Sequence, residues 1–405
     1  MSLIGRSTRR FAIGCSFVLG IGVCAAAQNV LVYAGGPGLC AEANSISPLF
    51  PFPGPLQNIF PTIPAIGPPV PGPFTNGAVA VEATNGRVFY SNGALIAAMP
   101  NPGFVTPGVP AAVAFPPAPV PAFPPGTPPF VTGMAVDAVA GILWTTNGLF
   151  LQATGLLPPF LPLGPPIPVP GFMPIPVTGL EWDSITGALW AVSGPGVVFA
   201  FTPAGAFVAG PFPPPLGIPG PATGVTIDKT GLAAPGFAAR SLYVLAGGVV
   251  FDYTTLIALP VFGLGEGLAF NARPQIWLPP GCACGPLFTP TLAPLAPTTT
   301  GVPFTGVDWN GLPPFSPVVV VVDIVFNPAM PLINGVGCPL GMVLGSPTLF
   351  LFVGGANAAG TFSLPFGLVG LPPGLTLFAQ YAAPCAADPV GLVLSPVMQT
   401  IVAAP

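Results

Sequence analysis

The sequence contains no histidine and very few charged residues. Its 405 residues include only 7 Lys and Arg and 11 Asp and Glu. Without histidine, the chain alone cannot build a Ser-His-Asp triad, a Cys-His pair or a histidine-ligated metal site. Because its cations are few and scattered, it also lacks the basic patch that nucleic-acid binding requires. The sequence therefore predicts a protein with no metal, no cofactor and no nucleic-acid partner.

Proline, glycine and apolar residues take the place of the missing charges. The chain has 64 Pro and 54 Gly, a composition typical of disordered proteins. However, 52% of its residues are hydrophobic, and disorder requires low hydrophobicity. Long helices are excluded, because proline lacks an N–H donor and clashes with the preceding helical turn. We therefore predict an all-β protein of short strands joined by turns.

The first 27 residues have the pattern of a secretory signal peptide. Three arginines precede an apolar stretch that ends at Cys24, and residues 25–27 are three alanines that form a cleavage site. The alternative is a membrane anchor, but the apolar stretch is short for a membrane span. We expect cleavage before Gln28, a secreted or cell-surface protein, and no transmembrane helix after cleavage.

Five cysteines follow the predicted cleavage site. They are Cys40, Cys282, Cys284, Cys338 and Cys385. An oxidising compartment would let them form disulfides, and Cys338 with Cys385 is the first candidate pair. Since five is odd, one cysteine is left free or pairs between chains. The C-x-C pair at 282 and 284 lacks the further ligands that a zinc site needs.

A repeat of about 45 residues runs through the middle of the chain. Its most complete copies are Thr132–Gly148 and Thr178–Gly194, and shorter copies begin at Ala80, Thr223 and Gly267, the last of which has Gln275–Trp277 as its second strand. Each copy has a short strand that ends in Asp, Glu or Asn, a glycine turn, an apolar strand with an aromatic residue, and a second turn. This order is typical of a β-hairpin. More strand-like sequence follows each hairpin, so that every unit predicts the four-stranded blade of a β-propeller.

Proline-rich stretches recur late in these units, at 51–74, 108–129, 157–176 and 211–221. Proline is tolerated on edge strands, where it blocks edge-to-edge pairing. We therefore place these stretches on the outermost strands of the blades. Val30–Tyr33 predicts a further strand that completes the last blade and closes a ring of five or six blades.

The pattern changes near Cys282. Six candidate strands follow between residues 304 and 395, and turn signals such as Asn310-Gly311 separate them. This spacing predicts a small C-terminal β-sandwich. The expected organisation is a signal peptide over 1–27, a β-propeller over 28–280 and the sandwich module over 281–405.

Two parts of the sequence resemble known families. Thr178–Asp183 followed by Gly187–Trp190 resembles the repeats of NHL-like extracellular β-propellers. The resemblance covers roughly residues 30–280 and implies a propeller that binds other molecules. That group includes enzymes and scaffolds, and no catalytic residue carries over. Gly337–Pro339 and Gly391–Ser395 resemble a C-terminal β module of many uncharacterised secreted bacterial proteins, which implies an accessory extracellular role.

Carboxylates are the only candidates for reactive groups in this chain. Glu181 departs from its repeat equivalents Ala135 and Thr226. Because the opening strands of propeller blades usually face the central channel, Glu181 and Glu266 are predicted to line it as binding residues. Asp183 recurs in other repeats as an acid at the same position, and we expect it to hold a turn.

Two functions fit these patterns. The first is a secreted or cell-surface, non-catalytic binding or structural protein, whose uncharged apolar surface contacts a protein, the cell envelope or another copy. The alternative is an extracellular hydrolase or lyase that uses the channel carboxylates. Trp144, Trp190 and Trp277 could offer a sugar-stacking platform, but their recurrence at one repeat position favours core packing.

Overall fold

The structure is a computed structural model, and it is described over part of the chain. The described residues are 29–34, 39–43, 77–100, 115–174, 176–214, 220–231, 240–254, 258–260, 266–272, 275–276, 291–294, 298–301, 303–304, 307–325, 340, 346, 348–364, 366–367, 370–386 and 391–405. The regular elements in these segments are all strands, which confirms the predicted all-β class. Among these residues there is no apolar helix of membrane-spanning length.

The first half of the structure consists of five antiparallel sheets, which we call blades 1 to 5. The strands up to the end of blade 2 are β1 (Asn29–Ala34), β2 (Leu39–Ala43), β3 (Ala78–Glu82), β4 (Arg87–Ser91), β5 (Leu95–Pro100), β6 (Phe115–Pro119), β7 (Gly133–Asp137), β8 (Ile142–Thr146), β9 (Phe150–Gly155) and β10 (Ile167–Pro168). Those that follow are β11 (Val177–Asp183), β12 (Ala188–Ser193), β13 (Val198–Phe201), β14 (Phe207–Phe212), β15 (Ala222–Ile227), β16 (Leu242–Ala246), β17 (Val249–Asp252), β18 (Ala258–Pro260) and β19 (Gly267–Asn271). Blades 1 to 4 take four consecutive strands each, from β3, β7, β11 and β15 onward.

Blade 5 is completed by the start of the chain. Its sheet has the order β19-β1-β2, with Val30 opposite Phe270 and Tyr33 opposite Gly267. The innermost strands β3, β7, β11, β15 and β19 pack side by side in that order, and β19 packs against β3. The ring therefore closes at five blades, and the predicted closing strand at 30–33 is confirmed.

A ring of small residues allows the inner strands to approach closely. Gly133, Gly179, Gly224 and Gly267 occupy the same repeat position, and each lies against the backbone of the next blade. A Cβ atom on Gly179 would lie 2.7 Å from the Cα of Gly224, and one on Gly267 would lie 2.7 Å from the nitrogen of Val79. These contacts leave no space for a side chain. The glycine of the Thr-Gly motif is thus required by the packing of one blade on another.

The threonine of the same motif links neighbouring blades. The Thr132 hydroxyl donates to the carbonyl of Val177 at 2.7 Å, and the Thr178 hydroxyl donates to the carbonyl of Ala222 at 2.7 Å. Both threonines are buried. Each bond joins one inner strand to the next and satisfies polar groups that burial would otherwise leave unpaired.

Aromatic residues fill the layers between blades. Trp144 packs with residues of blades 2 and 3, and Trp190 packs with residues of blades 3 and 4. Both indoles are buried, so the predicted core position is confirmed for these two. Trp277 lies outside the described residues.

Proline occupies the outermost strand of four blades, and in blades 1 to 3 it does so within the predicted stretches 108–129, 157–176 and 211–221, whereas the stretch 51–74 lies outside the described residues. These strands contain Pro116, Pro117 and Pro119 in β6, Pro168 in β10, Pro211 in β14 and Pro260 in β18. In blade 5 the outermost of the described strands is β2, which contains Glu42. The outer strands described in blades 1 to 4 therefore each contain a proline, which disfavours further strand pairing.

The C-terminal region forms a β-sandwich, as predicted. Its strands are β20 (Gln275–Ile276), β21 (Thr291–Pro294), β22 (Pro303–Phe304), β23 (Val307–Asn310), β24 (Pro317–Asp323), β25 (Phe350–Gly355), β26 (Phe362–Ser363), β27 (Phe366–Gly367), β28 (Thr376–Pro384), β29 (Leu392–Leu394) and β30 (Met398–Ile401). A six-stranded sheet has the order β20-β30-β28-β24-β25, with β29 also on β28. It packs against the sheet β21-β23-β26 around a core that includes Trp309, Val320 and Tyr381.

One predicted hairpin is wrong. The sequence pairs Gly267–Asn271 with the strand at Gln275–Trp277, but β20 instead pairs with Met398 and Gln399 of β30 in the C-terminal sheet. The place of a second strand in blade 5 is taken by β1, so the chain after Asn271 is available to join the other sheet. The predicted domain boundary at residue 280 falls outside the described residues.

Candidate functional site

Glu181 lies on the innermost strand of blade 3 and is buried. Its Oε1 atom forms an ion pair with Nζ of Lys229, 3.0 Å away, and accepts a bond from the backbone N–H of Trp182. Its Oε2 atom accepts a 2.6 Å bond from the hydroxyl of Thr226 in blade 4. It also accepts a 3.4 Å bond from the N–H of Phe270 in blade 5. The carboxylate thus connects three blades across the propeller axis.

The C-terminal end of the chain contacts the propeller beside this ion pair. The Ala404 N–H donates to the carbonyl of Lys229 at 2.9 Å. Ala403 packs with Phe270 and Ala272 of blade 5. The chain segment at Thr298 is also fixed here, since its N–H donates to the carbonyl of Ala272 at 2.7 Å. Together these contacts join the sandwich to the propeller and explain why Lys229 is buried.

Glu266 lies at a different position along the axis. It directly precedes Gly267, so it holds the repeat position of Thr132 and Thr178. It is half-buried and lies against Gly77, where an added Cβ would come within 2.3 Å of Oε2 of Glu266. At the junction between blades 5 and 1, the side chain of Glu266 therefore lies against Gly77, which has no side chain.

The structure does not bring Glu181 and Glu266 together. In repeat position Glu181 matches Ala269, so the two glutamates are offset by three residues along the inner strands, or about 10 Å. The glycine ring lies between these levels. The space between the inner strands at that ring leaves no room for a water molecule. Both residues lie on or beside innermost strands as predicted, while their role as binding residues stays a prediction.

A second ion pair joins the same two blades. The guanidinium of Arg240 in blade 4 binds both carboxylate oxygens of Asp183 in blade 3 and donates to the carbonyl of Asp228 at 2.9 Å. Burial, the largest single effect, acts to raise the pKa of Asp183. Hydrogen bonds from Arg240 and Thr186, the charge of Arg240 and the Ile185 N–H together outweigh it and hold the pKa below its ordinary value.

The turn role predicted for the recurring acids is confirmed. Asp137 accepts a bond from the N–H of Ala140, and Asp183 accepts one from the N–H of Ile185. Asp228 accepts a 2.7 Å bond from the N–H of Thr230. These acids stabilise the turns that follow the innermost strands. In the described residues, no group of three potential ligands could hold a metal ion.

Sequence reasoning missed Lys229 and Arg240 as partners of the candidate carboxylates. Neither residue recurs in the other repeats, so periodicity gives no signal for them. The rarity of cations in this sequence is the signal that could have identified Lys229 and Arg240. Only four Lys and Arg follow residue 27, and a buried carboxylate requires a cation or several donors nearby.

Of the predicted disulfide pair Cys338 and Cys385, the structure describes Cys385. Cys385 is buried in the core of the sandwich, directly after β28. Cys282, Cys284 and Cys338 lie outside the described residues. The pairing of Cys338 with Cys385 therefore stays a prediction.

Comparisons with known proteins give distant structural similarities. No family model and no curated protein matches the chain. A crystal structure of a nidogen/laminin complex aligns with 60% of this chain and 98% of its own, at 10% identity and a TM-score of 0.34. Sqt1 of Saccharomyces cerevisiae aligns over 46% of each chain at 16% identity and a TM-score of 0.28. Hydrazine synthase of Kuenenia stuttgartiensis covers 78% of this chain and 79% of its own, at 10% identity and a TM-score of 0.27.

Proposed function

We propose that this chain is a secreted or cell-surface protein that binds a protein or the cell envelope through a rigid β-propeller and has no catalytic role. Its propeller would belong with the NHL-like extracellular group. The observation that carries the proposal is an exposed apolar surface on the edge of blade 2. The predicted signal peptide supports the location.

The blade 2 rim consists of Leu157, Leu161, Leu163 and Phe172. The three leucines are at least 60% exposed, and Phe172 is 41% exposed. Residues 138–180 contain no charge at all. Backbone bonds hold the rim in place, because the Leu163 N–H donates to the carbonyl of Ala153 and the Gly155 N–H to that of Leu161. Exposed apolar side chains on a hydrogen-bonded backbone in an uncharged region are typical of an interaction site.

The axis of the propeller supports a scaffold role. Glu181 is neutralised by Lys229, and Asp183 by Arg240. Both carboxylates are therefore used to join blades 3 and 4. A hydrolase would need a carboxylate that reaches a substrate, and the glycine ring leaves no room for a substrate between the inner strands.

Site-specific photo-crosslinking in the producing cell tests the proposal. A photoreactive residue at position 163 should form covalent adducts with a protein or envelope component. The same residue at position 139 is the control, because Val139 is 76% exposed but lies in a turn of blade 2 away from its outer edge. Adducts absent at 163, or identical at 139, would contradict the proposed surface.

The location is tested separately by fractionation and N-terminal sequencing. We expect the protein outside the cytoplasm, with Gln28 as its first residue. Intact chains that keep Met1 and stay in the cytoplasm would refute export.

A further inference from the structure

We propose that residues 402–405, which we call the C-terminal strap, open locally from the propeller and uncover Lys229 at one end of its axis. The proposal adds a conformational device to the binding role proposed above, and it involves no residue of the blade 2 rim. The two proposals can therefore fail independently.

The strap is fixed to the sandwich by several backbone bonds. The Val402 N–H donates to the carbonyl of Leu375 at 2.9 Å, and the Gly374 N–H donates to the carbonyl of Val402 at 2.7 Å. Ala403 forms two bonds of 3.0 Å with the segment 298–300, one through its N–H and one through its carbonyl. The strap therefore belongs structurally to the sandwich.

The contact between the strap and the propeller is small. In the described part of the chain, Ala404 donates one backbone bond to the carbonyl of Lys229, and Ala403 packs against Phe270 and Ala272. None of the described sheets contains both propeller and sandwich strands. One net hydrogen bond and a few buried methyl groups contribute little stability. Separating the strap from the propeller should thus require much less free energy than unfolding the chain.

The groups next to the strap are polar, although the chain as a whole is largely apolar. Lys229 is paired with Glu181, and the Thr226 hydroxyl donates to the same carboxylate. Thr299 lies beside Ala403 in a β-bridge, and its buried hydroxyl has no hydrogen-bond partner in the described residues. A permanently closed junction would pair such a hydroxyl or replace it with an apolar group. Water satisfies it in an open state, so its presence favours a junction that opens.

Small polar junctions between structural units are the ones that move. Opening of this one exposes the amine of Lys229 beside the carboxylate of Glu181, and so creates a charged site at an end of the axis that the closed structure covers. Lys229 is the only lysine in the sequence. Its amine therefore reports opening without interference from any other lysine side chain.

The test measures the rate of acetylation of Lys229 in the purified chain at urea concentrations below the unfolding transition. Mass spectrometry of the peptide that contains Lys229 gives the rate, and a short peptide with a free lysine amine gives the reference. We expect a rate that is independent of urea at low concentrations, because local opening exposes little surface. It should exceed the rate calculated from global unfolding by at least about tenfold.

Ala404→Pro tests the strap directly, because proline lacks the N–H that donates to Lys229. The preceding Ala403 lies in a β-bridge, a conformation that a following proline tolerates. Acetylation of Lys229 should become about three- to tenfold faster, since the loss of one backbone bond increases the open fraction by that factor. Ala140→Pro is the matched control. It removes an N–H that bonds Asp137 in an exposed turn of blade 2, and it should leave the rate unchanged while circular dichroism shows the same fold.

Three results would each overturn the proposal. Acetylation as fast as that of the reference peptide would show that Lys229 is not covered. A rate equal to that calculated from global unfolding at every urea concentration would show that the strap does not open by itself. Equal rates in Ala404→Pro and the wild type would show that the strap does not control access. Photo-crosslinking at position 163 would be unaffected by any of these outcomes.

Discussion

The junction between blades 2 and 3 and the junction between blades 3 and 4 share one framework. In both, a glycine of one inner strand packs on the backbone of the next, and a threonine hydroxyl donates to a carbonyl of the next strand. The second junction adds two ion pairs, Glu181 with Lys229 and Asp183 with Arg240. The ring therefore does not require charge at a junction, because the uncharged one closes with the same geometry.

This difference separates two kinds of stabilisation. The glycine and threonine contacts recur because the repeated motif encodes them at successive junctions. The ion pairs occur at one junction and take up two of the four cations that follow residue 27. Buried ion pairs contribute little net stability but are costly to break. We therefore expect the charged junction to be more sensitive to mutation without being intrinsically stronger.

The largest effect is expected from Arg240→Gln. This change leaves Asp183 buried without its cation, and we expect a loss of about 3–5 kcal/mol in the free energy of unfolding at pH 7. Urea denaturation of the wild type and the variant gives the difference. Arg240→Lys is the control that keeps the charge and loses the two-point contact, and it should cost less.

The pH dependence of the stability difference between the wild type and Arg240→Gln is a sharper test. In the wild type the pKa of Asp183 is held below its ordinary value of 3.8. Its stabilisation is therefore present above the ordinary pKa and is lost as the pH falls through the lowered pKa. Arg240→Gln removes the charge and the hydrogen bonds of Arg240 that lower the pKa of Asp183, so the variant should lose less stability than the wild type on acidification. The stability gap should thus narrow as the pH falls from 7 through the range in which Asp183 titrates, and a constant gap would contradict this account of the junction.

A smaller loss is expected from Gly179→Ala, which tests the shared framework. The added methyl group would lie 2.7 Å from the Cα of Gly224. Separating the inner strands should cost about 1–3 kcal/mol. Gly155→Ala is the matched control, because a Cβ at that position in blade 2 meets no atom within 4 Å. Equal melting temperatures for Gly179→Ala and the control would show that close approach does not hold the ring.

The sequence predicts the shared framework better than it predicts the charged junction. Recurring turn acids, glycines and aromatics mark the blades, and prolines mark the outer strands, because both follow local rules of backbone geometry. The partner of Glu181 follows no such rule, since Lys229 occurs in one repeat and the two meet only after blades 3 and 4 pack. The sheet that Gln275–Ile276 joins cannot be predicted from the sequence for the same reason. Its partner strand at 398–401 lies far away in sequence, and the preceding blade is completed by residues from the other end of the chain.

The smallest loss of stability is expected from Thr132→Val and from Thr178→Val. Together these two variants compare the uncharged junction with the charged one. Each removes one buried hydroxyl bond of 2.7 Å and leaves a carbonyl of the next blade without that donor. Each should cost about 1 kcal/mol. If the two ion pairs held blades 3 and 4 together independently of the threonine bond, Thr178→Val would lower the free energy of unfolding by less than Thr132→Val. Equal losses in urea denaturation would instead mean that the threonine bond has the same value at a charged and an uncharged junction, and that the ion pairs add to the framework without replacing it.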